Sequence, residues 1–171
     1  METNITSNPV KNEKEYSCCF TGHRKIEKDK IPLISALLET EIEKMVSNGI
    51  RYFYCGGAIG FDTLAEKAVI KLRKKYPDIK LCIAVPHRGQ SSSFGEKERQ
   101  EYDEILSLAD KVICLSEHYY SGCMHARNRF MVENSGYCIC YLNEKTGGTA
   151  YTVNYAKKQG LHIINIADQF N

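Results

Sequence analysis

YFYCGGAIGFDTLAEKA, residues 52–68, decides the fold. An apolar, aromatic run ends on Gly56 and Gly57. Gly60 follows, then Asp62 and a pattern of helical period. A strand that hands over to a helix in this way is the joint of a βα unit. Glycine lets backbone N–H groups come close to an anion and take up positive φ. A helix that begins there directs its N-terminal dipole at the same point. The stretch therefore predicts an α/β sheet with a phosphate-bearing small molecule at its edge. Tight βα turns also use glycine for geometry alone, so the rest of the chain has to support the ligand.

Outward from this joint, apolar runs alternate with helical patterns. Strands are expected at residues 16–20, 50–55, 80–85, 111–115, 137–142 and 161–166. Helices are expected at 31–48, 61–76 and 96–108, in the second half of 116–135, and from the Gly147–Gly148 pair to 159. Leu33, Leu37, Ile42, Met45 and Val46 share a face of the first helix, and Leu64, Ala65, Ala68 and Leu72 share one of the second. Ala126, Phe130 and Met131 are expected to face inward from the fourth. The strands read as continuous apolar runs, as a parallel sheet buried on both faces requires. The fold class is α/β: a single domain with a three-layer, doubly wound, mainly parallel sheet over residues 16–171. Residues 1–15 read as a disordered N-terminal tail.

Composition excludes several classes. A chain of 171 residues that is 43% hydrophobic suits one globular domain. A net charge of +2 is far from the basic balance of a dedicated nucleic-acid binder, so nucleic acid is not expected as a partner. No apolar run approaches the length of a membrane span, and the polar start, METNITSNPVKNEKE, has no signal-peptide core. Seven of the 8 cysteines fall in the strand-like runs, where reduced Cys acts as a small hydrophobe. A reduced, cytoplasmic protein is expected. His118, Cys123 and His125 fit no standard zinc spacing, and neither a metal nor a cofactor is expected.

Ligands of a doubly wound sheet sit at the carboxyl ends of its strands. The residues just after the strands are therefore the candidates. Thr21, Gly22, His23 and Arg24 follow the first, and Gly56, Gly57, Gly60 and Asp62 follow the second. Gly147, Gly148 and Thr149 repeat the glycine joint after the fifth. Neither glycine loop is a Walker A motif or a GxGxxG fingerprint. Asp62 and Glu66 lie four apart on one helical face. They could complement the helix N-terminus, or one could hold a ribose hydroxyl or act as acid or base. Arg127 and Arg129 flank Asn128, and an arginine there could face solvent or take a phosphate bidentately.

CCFTGHR at 18–24, YCGGAIGFDTLAEKA at 54–68, Pro86 with Gln90, RNRFMVENS at 127–135 and Gly147-Gly148-Thr149 together resemble the YpsA-like family of the SLOG superfamily. That superfamily also joins the Smf/DprA and LOG proteins. The resemblance spans residues 16 to about 166. It implies a Rossmann-like fold, a bacterial origin, and binding of a nucleotide or nucleotide-derived ligand such as ADP-ribose or an NAD-like molecule. It also implies a homo-oligomer. LOG proteins are phosphoribohydrolases with an Arg-x-x-x-Met helix followed by PGGxGTxxE. Arg127, Met131, Gly147 and Gly148 match that pattern. Thr146, Ala150 and Tyr151 depart from it, and Asn154 stands where the catalytic glutamate would be. An amide cannot replace a carboxylate as a general base.

Three readings follow. A nucleotide sensor or regulator would bind through Thr21, Gly22, His23, Arg24, Gly56, Gly57, Gly60, Asp62, Arg127, Asn128, Gly147, Gly148 and Thr149. An N-glycosidic hydrolase would draw its catalytic groups from Asp62, Glu66 and Arg127. A DprA-like binder of single-stranded DNA would show a basic, aromatic groove and a steep salt dependence. The first is preferred.

Overall fold

Side chains alternate between the two faces of a strand, and a run that is apolar at both must be covered on both. That demand shapes the computed structural model, which describes residues 13–170. In chain order the elements are β1 (Ser17–Gly22), α1 (Ile31–Ser47), β2 (Tyr52–Cys55), α2 (Phe61–Arg73), β3 (Lys80–Val85), α3 (Glu96–Leu108), β4 (Lys111–Cys114), α4 (Cys123–Glu133), β5 (Tyr137–Tyr141), α5 (Gly148–Lys158) and β6 (His162–Asn165). The sheet has the order β4-β3-β2-β1-β5-β6. All of its pairings are parallel, so the expected Rossmann-like sheet is parallel throughout.

Two cores record the two faces. Cys18, Phe20, Phe53, Cys55, Leu81, Ile83, Ile139 and Tyr141 pack on one side with residues of α1, α2 and α3. Cys19, Tyr54, Cys82, Ala84, Cys138 and Cys140 pack on the other with residues of α4 and α5. Burying one side chain such as Phe20 or Phe53 contributes about 1.5–3 kcal/mol. The cysteines are free, and only Cys114 among them is exposed.

Three expectations shift. Leu33 is 48% exposed, and the buried stripe of α1 is Ile34, Leu38, Glu41, Ile42, Met45 and Val46. That stripe follows the 3.6-residue period more closely. Its Glu41 is bonded to Lys44 at 3.1 Å and Gln169 at 3.2 Å. β4 is not covered on both faces: it is an edge strand, and Val112 is 46% exposed. Ahead of β1, Glu13–Tyr16 forms a 3-10 turn whose Glu13 carbonyl accepts the Ser17 hydroxyl at 2.6 Å. The rest of the expected tail lies outside the described residues.

The chain steps outward from β1 to β4, then crosses back to lay β5 on the free side of β1. The strand order therefore reverses between β1 and β5, and a crevice opens there at the carboxyl ends. Among the described residues no helix is long and apolar enough to cross a membrane.

Candidate functional site

At this reversal lies a cavity of about 320 Å³. Its walls come from the loops after β1, β2 and β5 and from α4. Of the expected ligand residues it gathers Thr21, Gly22, His23, Arg24, Asp62, Arg127, Asn128, Gly147, Gly148 and Thr149. Gly56, Gly57, Gly60 and Glu66 do not line it. Phe20, Ala58, Met124, His125, Met131, Glu144 and Thr146 do, and sequence reasoning did not single them out for ligand contact. Met124 and His125 sit one turn ahead of Arg127 and Asn128, a helical spacing that could have found them.

The two glycine joints prove different. At the first, the amides already hold carboxyl groups of the chain itself. Gly57 N–H donates to Glu66 Oε1 at 3.0 Å, and Ala58 N–H donates to Asp62 Oδ2 at 3.2 Å. The Gly56 carbonyl accepts Gln90 Nε2 at 3.1 Å and Arg127 Nη1. A Cβ on Gly56 would press on the Arg127 guanidinium, so this glycine admits the arginine rather than a phosphate. At the second joint nothing within 4 Å would meet a Cβ on Gly147 or Gly148. α5 begins there with no side-chain cap, and its leading amides have no acceptor within the helix. They border the cavity.

Arg127 is the centre of the buried polar network. The inward positions of α4 are Cys123, Arg127, Met131 and Val132, while Ala126 and Phe130 are half-buried. Arg127 Nε donates to Asn128 Oδ1 at 2.8 Å, and its Nη1 also reaches the Ala84 carbonyl at 3.4 Å. Burial pulls its pKa down from the ordinary arginine value. Burial likewise raises the Asp62 carboxyl, against the pull of the Arg127 charge. Glu66 is pushed well above the usual carboxylate range by burial, then by Asp62 beside it. Both carboxyls thus hold their protons more tightly than exposed ones would, Glu66 the more so because Asp62 adds to its burial while the Arg127 and Arg24 charges favour an ionised Asp62.

His23 has a neighbour within the fold. Its Nε2 accepts the Asn143 N–H at 3.2 Å, tying the β1 loop to the β5 loop, and its ring meets Tyr141 edge-on. Arg24 stands in contrast. Arg51, Arg73, Arg88, Arg99, Arg127 and Arg129 each have a hydrogen-bonded partner, and Arg24 has none among the described residues. His125 packs at 4.2 Å between ring centroids on Tyr151, whose hydroxyl accepts Arg129 Nη1 at 3.0 Å. Asn154 is exposed on α5 and does not line the cavity. Among the described residues no cluster of three or more His, Cys, Asp or Glu could hold a metal. The cavity thus offers one open helix N-terminus, two arginines, hydroxyls from Thr21, Thr146 and Thr149, and the carboxylates of Asp62 and Glu144.

Comparison with known proteins gives the family and agrees with the fold. The YpsA profile, described as the YspA SLOG family, matches residues 18–167. A UPF0398 protein of Halalkalibacterium halodurans is 31% identical over 132 residues, covering 75% of this chain and 70% of its own length. One from Bacillus cereus (strain G9842) is 30% identical over 130 residues, covering 74% and 71%. DNA processing protein A of Helicobacter pylori, known for a single-stranded DNA binding mode, superposes with a TM-score of 0.61 at 17% identity. The protein of the same name from Streptococcus pneumoniae gives 0.62 at 17%. Each superposition covers 88% of this chain, but only 65% and 50% of those longer chains. At this identity the likeness is one of fold. It corrects one expectation nonetheless: a net charge of +2 is no ground for excluding nucleic acid, because this fold accompanies single-stranded DNA binding in the Helicobacter protein.

Proposed function

The chain belongs to the YpsA SLOG family, and from that premise we propose that it binds a nucleotide-type ligand at the β1/β5 crevice, as a sensor or regulator. The observation that supports this most is the open start of α5. Its leading amides have no acceptor among the described residues, they border the cavity, and Arg24 and Arg127 stand on the same walls. A phosphate on those amides would gain hydrogen bonds and the helix dipole together. The volume of about 320 Å³ is at the lower end for small-molecule sites and suits one nucleoside monophosphate unit. ADP-ribose and AMP are the ligands to try first. The buried free thiols are consistent with a reduced cytoplasmic setting.

Hydrolysis is the alternative use of the same site. Asp62 is the candidate carboxylate that lines the cavity together with Arg127, while Glu66 is bonded to the Gly57 amide away from it. Single-stranded DNA is a further reading, favoured by the DprA-like fold and by exposed Tyr119 and Tyr120 beyond β4.

Titration calorimetry with AMP and ADP-ribose, followed by chromatography of the cell contents, tests the reading. Saturable heat with intact ligand is expected. A Cβ on Gly148 would meet no atom within 4 Å, so Gly148→Val sets a branched side chain beside the leading amides of α5 and should weaken binding about tenfold or more. Undiminished affinity in that variant rejects the phosphate seat. Released base that disappears in Asp62→Asn would move the protein to the hydrolases. Salt-sensitive binding of an oligonucleotide, with no heat from either nucleotide, would favour DNA.

A further inference from the structure

The segment after β5 carries the chain into the open start of α5, and it is pinned at two successive residues. Asn165 of β6 grips Leu142: its Oδ1 accepts the Leu142 N–H at 3.1 Å, and its Nδ2 donates to the Leu142 carbonyl at 2.9 Å. His23 takes the next residue, its Nε2 accepting the Asn143 N–H at 3.2 Å. Among the described residues the backbone then makes no further hydrogen bond until the Gly147 carbonyl accepts the Tyr151 N–H. His23 is therefore the last anchor before the Gly147–Gly148 joint. A ring nitrogen that accepts a hydrogen bond carries no proton, so the imidazole is neutral with its proton on Nδ1. Once it is protonated both nitrogens are donors, and the anchor is lost.

We propose that His23 is a positioning residue of the crevice, an acid-sensitive latch rather than a cationic ligand contact. Neutral His23 holds the loop that presents the leading amides of α5, and protonation releases it. This rests on the crevice being a nucleotide site. The sign of the pH effect separates the two roles. An imidazolium touching a phosphate would bind it more tightly in acid. The other groups around the ring cannot reverse that sign. Tyr141 meets it edge-on, and Lys25, Glu27 and Glu144 share a second cavity of about 290 Å³ with it. Arg24, Asp62, His125 and Arg127 line the first cavity with it. In acid the three carboxylates can only lose negative charge and His125 can only gain positive charge, while the tyrosine, the lysine and the arginines carry their protons throughout. Each change favours an anion. Release of the latch alone weakens binding.

The test is calorimetry with ADP-ribose at about pH 8 and pH 5, the range over which an imidazole changes charge and a pyrophosphate does not. It uses the full chain, His23→Gln and Asn165→Ala, each first shown by circular dichroism to be folded at both values. Glutamine sets a carboxamide oxygen near the place of Nε2 and takes up no proton. From the higher pH to the lower, the affinity of the unaltered protein relative to His23→Gln should fall about threefold or more, the worth of one hydrogen bond. Asn165→Ala loosens the same loop without removing the titrating group, and should keep the pH dependence of the unaltered protein. A ratio that stays constant overturns the latch, and one that rises in acid overturns it in favour of a cationic contact. NMR of the ligand-free protein reads the latch directly: the Asn143 amide resonance should move with the titration of the His23 ring, and stand still in His23→Gln. An Asn143 amide that ignores the His23 titration also overturns the proposal. If ADP-ribose binds at neither pH while the Asn143 amide titrates, the nucleotide reading of the crevice fails and the latch itself is upheld.

Discussion

Gly60 and Gly147 look alike in the sequence: each opens a helix after an apolar run. Both have positive φ, 82° and 104°. Their surroundings part them. A Cβ on Gly60 would collide with the Arg24 carbonyl, a backbone atom that cannot swing away, whereas one on Gly147 would meet nothing within 4 Å. Gly60→Ala should therefore combine the cost of a strained φ with a displaced β1 loop and lose more than about 3 kcal/mol, while Gly147→Ala should lose about 1 kcal/mol. Urea midpoints of the two variants check this, and equal losses would mean that the Arg24 loop yields freely. Arg127 teaches the same lesson. Its motif was legible as functional, but its burial was not, because a charged residue enters a core only when carbonyls such as those of Gly56 and Ala84 wait to receive it.

Helix α2 shows what an element adds to its residues. The i, i+4 spacing of Asp62 and Glu66 put both carboxylates on one face from sequence alone. It did not say that this face turns inward and back onto the amides of the preceding loop. There the fold holds the Glu66 proton more tightly than an unfolded chain does, because burial and the Asp62 charge both oppose ionisation. The stability this contributes is complete below the ordinary glutamate range, and is lost as pH rises toward the elevated value in the fold. Glu66→Gln keeps an oxygen for Gly57 N–H but has no proton to lose. As pH rises above the ordinary glutamate range, the unaltered protein should therefore lose stability relative to Glu66→Gln, as read from denaturant midpoints. Parallel curves for the two proteins would show that Glu66 is already ionised in the fold.

Across the whole molecule, the strand order sets both where the cavity lies and where the fold is weakest. β1 is flanked by β2 and β5 and buried on both faces, while β4 is paired on one side and largely exposed. Amide hydrogen exchange should be slowest in β1, β2 and β5 and clearly faster in β4. Protection of β4 equal to that of β1 would indicate that this edge is covered in solution. By itself the sequence determined the alternation of strands and helices, the joints between them and the family motifs. These rest on local periodicity, on glycine, and on apolar runs that have no stable exposed state. It also placed most of the cavity residues, since the carboxyl ends of parallel strands share one edge. Only the tertiary structure decided which glycine loop keeps its amides free. That depends on what faces each loop: the carboxylates of α2 at one and open space at the other, and no residue within either loop records the difference.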